Sequence, residues 1–307
     1  MNLAPINQKT LYGFKNEFNE LCQLHNNSKF PNKILFSGQK GIGKSTLAFH
    51  LVNYILSKDE EYSYNLTANC INENNKSFKL ILNGTNPNFI LIDVDKKKKF
   101  IDIEQIRNLI VNLNKSTFNQ KKRFVLIDNI ELLNINSINA LLKILEEPNK
   151  NVNFILISNN KRILPTLTSR CINFKLSLSF DKTLDICQKL LGKNIYELVN
   201  KDIIDYYLTP GKIFFLINFF NQENIDLAKY KLKDLINLII SKNYYKNDLT
   251  IKFILYELIE LFLFKKIPVK SFEFYSYFLN QINKVKRFNL DEETLFIEFK
   301  SELINEK

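Results

Sequence analysis

One stretch limits what this chain can fold into more than any other: Lys33-Ile-Leu-Phe-Ser-Gly-Gln-Lys-Gly-Ile-Gly-Lys-Ser-Thr46. A short apolar run, Ile34 to Phe36, enters a glycine-rich turn, and the turn opens a segment with helical spacing at Leu47, Leu51, Tyr54 and Ile55. Gly38, Gly43, Lys44 and Ser45 occupy every fixed position of G-x-x-x-x-G-K-[ST]. The chemistry explains the spacing. Gly38, Gly41 and Gly43 let the backbone curl so that successive N–H groups point inward at phosphate oxygens. The helix beginning near Thr46 adds its positive end. Lys44 reaches toward the β- and γ-phosphates, and the Ser45 hydroxyl is a ligand for Mg²⁺. A strand before and a helix after are the context this motif requires.

A second acid belongs with that loop. Phe124-Val-Leu-Ile-Asp128 is an apolar strand pattern ending in a carboxylate. Asp128 then falls at the carboxyl end of its strand, where open α/β sheets place their ligands. There it holds Mg²⁺ directly or through water. The implied cofactor is ATP or ADP with Mg²⁺, with Ser45 and Asp128 as the metal-side residues.

The remaining pattern supplies the fold class. Residues 7–27 repeat Leu11, Phe14, Phe18, Leu21 and Leu24 at helical steps. Residues 58–87 are polar and poorly periodic, and Asn83-Gly-Thr-Asn-Pro87 reads as a turn or loop. Strand patterns at 88–94, 124–128, 153–158 and 172–176 alternate with helical ones at 101–113 and 137–146; Glu147-Pro148 stops the latter. Residues 1–175 therefore read as an α/β domain with a largely parallel sheet. Past residue 176 the pattern turns all-helical, with short helices at 184–191, 194–199 and 203–208 broken by Pro210-Gly211. Long helices begin near residue 223, one carrying the stripe Phe272, Tyr275, Phe278, Leu279, Ile282 and Val285.

Composition narrows the setting. The net charge of +11 permits contact with nucleic acid, but abundant Lys, Asn and Ile with no Trp also fit the residue bias of an A+T-rich genome. The run Lys96 to Lys99 reads as a solvated turn. Cys22, Cys70, Cys171 and Cys187 show no C-x₂-C spacing, which predicts no zinc site and a reducing compartment. The most apolar run, Ile254 to Phe264, carries Glu257 and Glu260 and is too short to span a bilayer. With no signal-peptide pattern, the expectation is a soluble cytoplasmic protein without membrane contact.

With these pieces on the page, residues 30–175 resemble the bacterial clamp-loader AAA+ family. The resemblance rests on Gly38–Thr46, Leu126-Ile-Asp128, Asn139-Ala-Leu-Leu-Lys-Ile-Leu-Glu-Glu-Pro148 and Leu164-Pro165 through Ser169-Arg170-Cys171. It implies an AAA+ domain over 1–175, a small helical lid over 176–222 and an oligomerising collar over 223–307. It implies gamma/tau and delta subunits as partners, with the sliding clamp and primed DNA met through the assembled complex. It implies that Arg170 is an arginine finger, reaching in trans to the γ-phosphate held by a neighbour; an ordinary salt bridge is the other reading of that residue. The family's sensor-1 residue falls at Ser158 or Asn159, with Ser158 taken into the nucleotide-contacting set.

The departures bear on activity. Active members carry Glu after the Walker B aspartate; here the residue is Asn129, whose amide is no base. The sensor-2 arginine falls near Gly211. The four-cysteine zinc knuckle belongs between 55 and 85, where only Cys70 stands. This pattern resembles the delta-prime type of subunit of the DNA polymerase III holoenzyme, with weak or absent ATPase activity of its own. The alternative is a catalytically active AAA+ ATPase of the gamma/tau type.

Overall fold

A computed structural model describes residues 4–304 apart from 96–97, 115–120, 147–150, 160–163, 206–207, 267–271 and 289. The chain divides into two compact units, Met1–Leu178 and Ser179–Lys307.

The first unit runs α1 (Lys15–Asn26), β1 (Lys33–Ser37), α2 (Lys44–Leu56), α3 (Lys76–Leu82), β2 (Phe89–Ile92), α4 (Ile103–Asn114), β3 (Arg123–Ile127), α5 (Ile135–Glu146), β4 (Val152–Ser158), α6 (Pro165–Thr168) and β5 (Ile172–Lys175). The five strands form one sheet in the order β2-β3-β4-β1-β5, and every adjacent pair is parallel. Parallel neighbours need crossovers, and the helices supply them. Alternate residues of the central strands enter opposite cores. Ile34, Phe36, Leu126, Ile155 and Ile157 pack with Phe18 and Leu21 of α1 and Leu47 and Leu51 of α2. Leu35, Val125, Ile127, Phe154 and Leu156 pack with Ile106 and Leu109 of α4 and Leu141 and Leu145 of α5. Helices on both faces are why β3 and β4 read as unbroken buried runs.

The structure departs from the sequence reading in several places, one of them 194–208, where Ile195–Glu197 is the one described 3-10 turn. The first helix begins at Lys15, not residue 7. Phe14 takes a left-handed conformation (φ 58°), and the segment before it pairs in extended form, with the Leu11 N–H donating to the Asn69 carbonyl and Ile71 N–H to that of Lys9. Leu11 and Phe14 still enter the core, so the apolar spacing there marked burial and not helix. Within the poorly periodic stretch 58–87 lies α3, capped by the Asn75 side chain, which accepts from Phe78 N–H. Pro210-Gly211 opens a helix as well as ending the pattern before it, since proline is well suited to the first helical position. Glu147, Pro148, Lys96 and Lys97 lie outside the described residues.

The described secondary structure of the second unit is helical: α7 (Phe180–Leu191), α8 (Pro210–Gln222), α9 (Leu232–Ser241), α10 (Tyr244–Asn247), α11 (Leu249–Lys266), α12 (Phe272–Phe288) and α13 (Glu292–Ile304). Ser179 caps the start of α7 and Gly192, at φ 64°, its end. Phe278, Ile282 and Val285 of the predicted stripe are buried, and Phe278 meets Phe299 edge-on; Phe272 stays exposed. Among the described residues no helix is long and apolar enough to cross a membrane.

Candidate nucleotide-binding site

The glycine-rich turn leaves the carboxyl end of β1, and Gly43 caps α2 at φ 100°, a conformation open to glycine at little cost. Gly38 is required for a different reason. A Cβ there would lie 2.3 Å from the Leu176 carbonyl oxygen, just past β5, so the loop and the end of the sheet close on each other only without a side chain. Gly41 also turns through positive φ (86°). Lys44 and Ser45 occupy the first turn of α2, and Thr46 follows, half-buried.

Lys44 is buried and folds back over the turn. Its Nζ donates to the Gly38 carbonyl at 2.8 Å and to that of Gln39 at 2.6 Å. Burial pushes its ammonium down to about 8; Asp128 and Glu131 pull the other way, and Lys40 adds to the lowering. Ser45 Oγ donates to Asp128 Oδ2 at 2.5 Å. Asp128 follows directly on β3, and burial raises its carboxyl; the charge of Asp93 adds to this, while Ser45, the Asn129 N–H and Lys44 act against it. Ser45 and Asp128 thus offer two adjacent oxygen donors. That set fits Mg²⁺, which takes few protein ligands and completes its shell with water and phosphate oxygens.

Beyond Asp128 lies a chain of side-chain hydrogen bonds. Asn129 (φ 55°) donates from Nδ2 to Asp93 Oδ1 at 2.8 Å. Its Oδ1 accepts from Asn159 Nδ2 at 2.8 Å, which also donates to Glu131 Oε1 at 2.9 Å. The Asn159 backbone N–H donates to Glu131 Oε2 at 3.3 Å. Of the two sensor-1 positions, Asn159 joins this network. Ser158 is fully buried with no hydrogen-bond partner for Oγ, and strand alternation puts it on the Leu156 face of the sheet. Period-2 alternation from Leu156 was the signal that separates the two positions. Asp93 escaped the sequence reading; its place at the end of β2, beside Asp128, is what marks it.

Arg170 stands apart from these residues. Its Nη2 donates to Glu146 Oε1 at 2.5 Å and its Nη1 to the Thr166 carbonyl at 2.8 Å. The salt-bridge geometry is therefore present in the single chain.

Among the described residues no group of three or more His, Cys, Asp or Glu is placed to hold a metal. Burial pushes the Cys22 thiol up to about 12 and that of Cys171 to about 11.

The family described as DNA polymerase III, delta subunit matches residues 14–179, more than half of the chain. This chain belongs to that family. Among relatives of the DNA polymerase III family, the delta-prime subunit of Pseudomonas aeruginosa is 31% identical over 151 residues, covering 49% of this chain and 44% of the relative. The gamma subunit of Buchnera aphidicola from Schizaphis graminum is 31% identical over 187 residues, covering 58% and 48%. The chain thus spans less than half the length of these two curated relatives. A crystal structure of a DNA polymerase III gamma subunit-related protein from Thermotoga maritima superposes with a TM-score of 0.51 at 18% identity, covering 92% of this chain and 98% of that one. At that identity the likeness is one of fold alone.

Proposed function

We propose that this chain is a delta-prime type clamp-loader subunit of a DNA polymerase III holoenzyme. It binds ATP or ADP with Mg²⁺ at Gly38–Thr46 and Asp128, hydrolyses it poorly, and supplies Arg170 in trans to a neighbouring gamma/tau ATPase. Its partners are gamma/tau and delta, and through the assembled complex the sliding clamp and primed DNA. In this reading residues 176–222 act as the lid and 223–307 as the collar, with the protein working in the cytoplasm.

The observation that carries the reading is Asn129. It holds the place of the water-activating glutamate, and its amide is engaged on both sides, donating to Asp93 and accepting from Asn159. An amide takes no proton from water at neutral pH. Glu131, the next acid along the chain, is occupied by Asn159 through both carboxylate oxygens. Lys212, beside the expected sensor-2 position, pairs with Glu257 at 2.6 Å, linking α8 to α11. When bound, Mg²⁺ supplies charge neutralisation for the β- and γ-phosphates; the chain's own residues bind and orient them.

The test is reconstitution with gamma/tau, delta, sliding clamp and primed DNA. Wild type is expected to stimulate hydrolysis, and Arg170→Ala to assemble yet lose most of the stimulation, since a finger in trans is worth roughly 10³–10⁵ in rate. A second reading, an active gamma/tau-type ATPase, draws on the complete phosphate loop and on gamma relatives as similar as delta-prime ones. Turnover near about one per second by the isolated chain, within the ordinary range for enzymes and abolished by Lys44→Ala, would establish it instead.

A further inference from the structure

Arg170 is held by two separate elements. Glu146 is the last residue of α5, and its Oε1 accepts from Nη2 at 2.5 Å. Thr166, in α6, offers its carbonyl to Nη1 at 2.8 Å, with Ser169 Oγ at the outer limit of contact, 3.5 Å. An arginine side chain has many rotamers, and two acceptors on different elements select among them. The carboxylate grips one nitrogen and does not form the two-pronged fork that would occupy a whole edge of the guanidinium. With five N–H donors in the group, others stay available for an incoming anion. The Arg170 and Glu146 side chains are 31% and 52% exposed, so the pair is of the solvent-screened kind that gives way when a stronger anion arrives.

We propose that Glu146 is the positioning residue for Arg170. It holds the guanidinium oriented in the unassembled chain, so that the group meets a neighbour's nucleotide with its aim already set. The inference rests on the trans role proposed above for Arg170 and adds a named residue to it. Glu146 touches no substrate; it acts through Arg170. The competing sense of the same contact, a latch that withholds Arg170, predicts the opposite sign.

The experiment measures ATP hydrolysis by a gamma-type ATPase subunit assembled with the full chain, at saturating ATP and with assembly followed separately. Glu146→Ala is expected to lower kcat about twofold to fivefold, the span of an exposed ion pair, with assembly unchanged. The exposed helix end accepts alanine without a packing penalty. Glu146→Gln keeps a neutral acceptor and is expected to retain more of the rate. In the Arg170→Ala background, Glu146→Ala is expected to add nothing. A rise in kcat with Glu146→Ala, no change, or an equal loss in the Arg170→Ala background overturns the positioning role while leaving the trans role of Arg170 intact. Full stimulation by Arg170→Ala itself overturns both, and so separates the two failures.

Discussion

Ser45 Oγ and Asp128 Oδ2 meet at 2.5 Å across 83 residues of sequence. The hydroxyl comes from the first turn of α2 and the carboxylate from the end of β3, with β4 lying between β1 and β3 in the sheet. Both sit at the carboxyl edge, where the strand ends converge on the glycine turn. Asp128→Asn keeps the shape and a hydrogen-bond acceptor but removes the charge that suits a hard cation. Nucleotide affinity measured with Mg²⁺ is expected to fall about tenfold or more, a loss of ~1.4 kcal/mol. The affinity measured in excess chelator is expected to change little. Titration with a fluorescent nucleotide under both conditions checks the difference, and equal losses in both would argue against a metal role for Asp128.

Gly38→Ala tests the closure of the loop on the sheet. The added Cβ would meet the Leu176 carbonyl oxygen at 2.3 Å and the Ile42 side chain at 2.8 Å. Ile42 is able to shift, but the Leu176 backbone is tied by its N–H to the Ser37 carbonyl at 2.8 Å. Overpacking of this kind costs about 1–3 kcal/mol. The expected result is a lower denaturation midpoint in urea, with amide exchange accelerating first along β5. A midpoint equal to wild type would show that β5 yields at no cost.

The parts of the site legible in sequence were those set by short, fixed spacings. Gly38, Gly43, Lys44 and Ser45 stand in one local motif, and Asp128 closes an apolar run too short to be anything but a buried strand. What escaped depended on contacts between distant segments. Asp93 meets Asn129 only through the strand order, and Asn159, one of the two sensor-1 positions, joins them the same way. The start of α1 was lost because Leu11 and Phe14 are buried from a non-helical backbone. Helix α3 was lost because seven residues give too little periodicity to outweigh a polar setting.

The segment before α3 is held by side-chain hydrogen bonds. Asn75 Oδ1 accepts from Phe78 N–H at 2.7 Å and from Asn53 Nδ2 at 3.1 Å, and its Nδ2 donates to the Tyr62 carbonyl at 2.8 Å. Glu60 takes the Ser77 N–H and hydroxyl, and Ser57 Oγ accepts from Tyr64 N–H. Hydrogen bonds thus tie this stretch to α2 and to the start of α3. Asn75→Ala removes a cap and strands Asn53, with an expected cost of about 1–3 kcal/mol. Adding a strong chelator to wild type is expected to leave the melting temperature unchanged. A chelator-induced drop, with zinc found in the purified protein, would contradict this account.

His50 gives the fold a definite response to acid. It is fully buried in α2, with Nδ1 at 2.8 Å from Tyr64 Oη and Nε2 at 3.0 Å from the Gln8 carbonyl. Burial pushes the imidazole down from 6.5 to about 4, the Gln8 carbonyl opposing it only in part. Between these values the unfolded chain carries a proton that the folded chain refuses. Stability is therefore unaffected by this group above about pH 6.5 and is lost as pH falls from there toward 4, by up to ~3 kcal/mol. His25 is shifted in the same direction, by burial and then by Lys122 and Lys58, so the acid limb holds contributions from both histidines. His50→Gln keeps a side chain able to meet Tyr64 and Gln8 but removes the titration. Urea unfolding at pH 7 and pH 5 separates the two effects. The variant is expected to be less stable than wild type at pH 7 through imperfect hydrogen bonds, and to lose distinctly less stability between the two pH values. An unchanged pH slope would place the acid sensitivity in other groups.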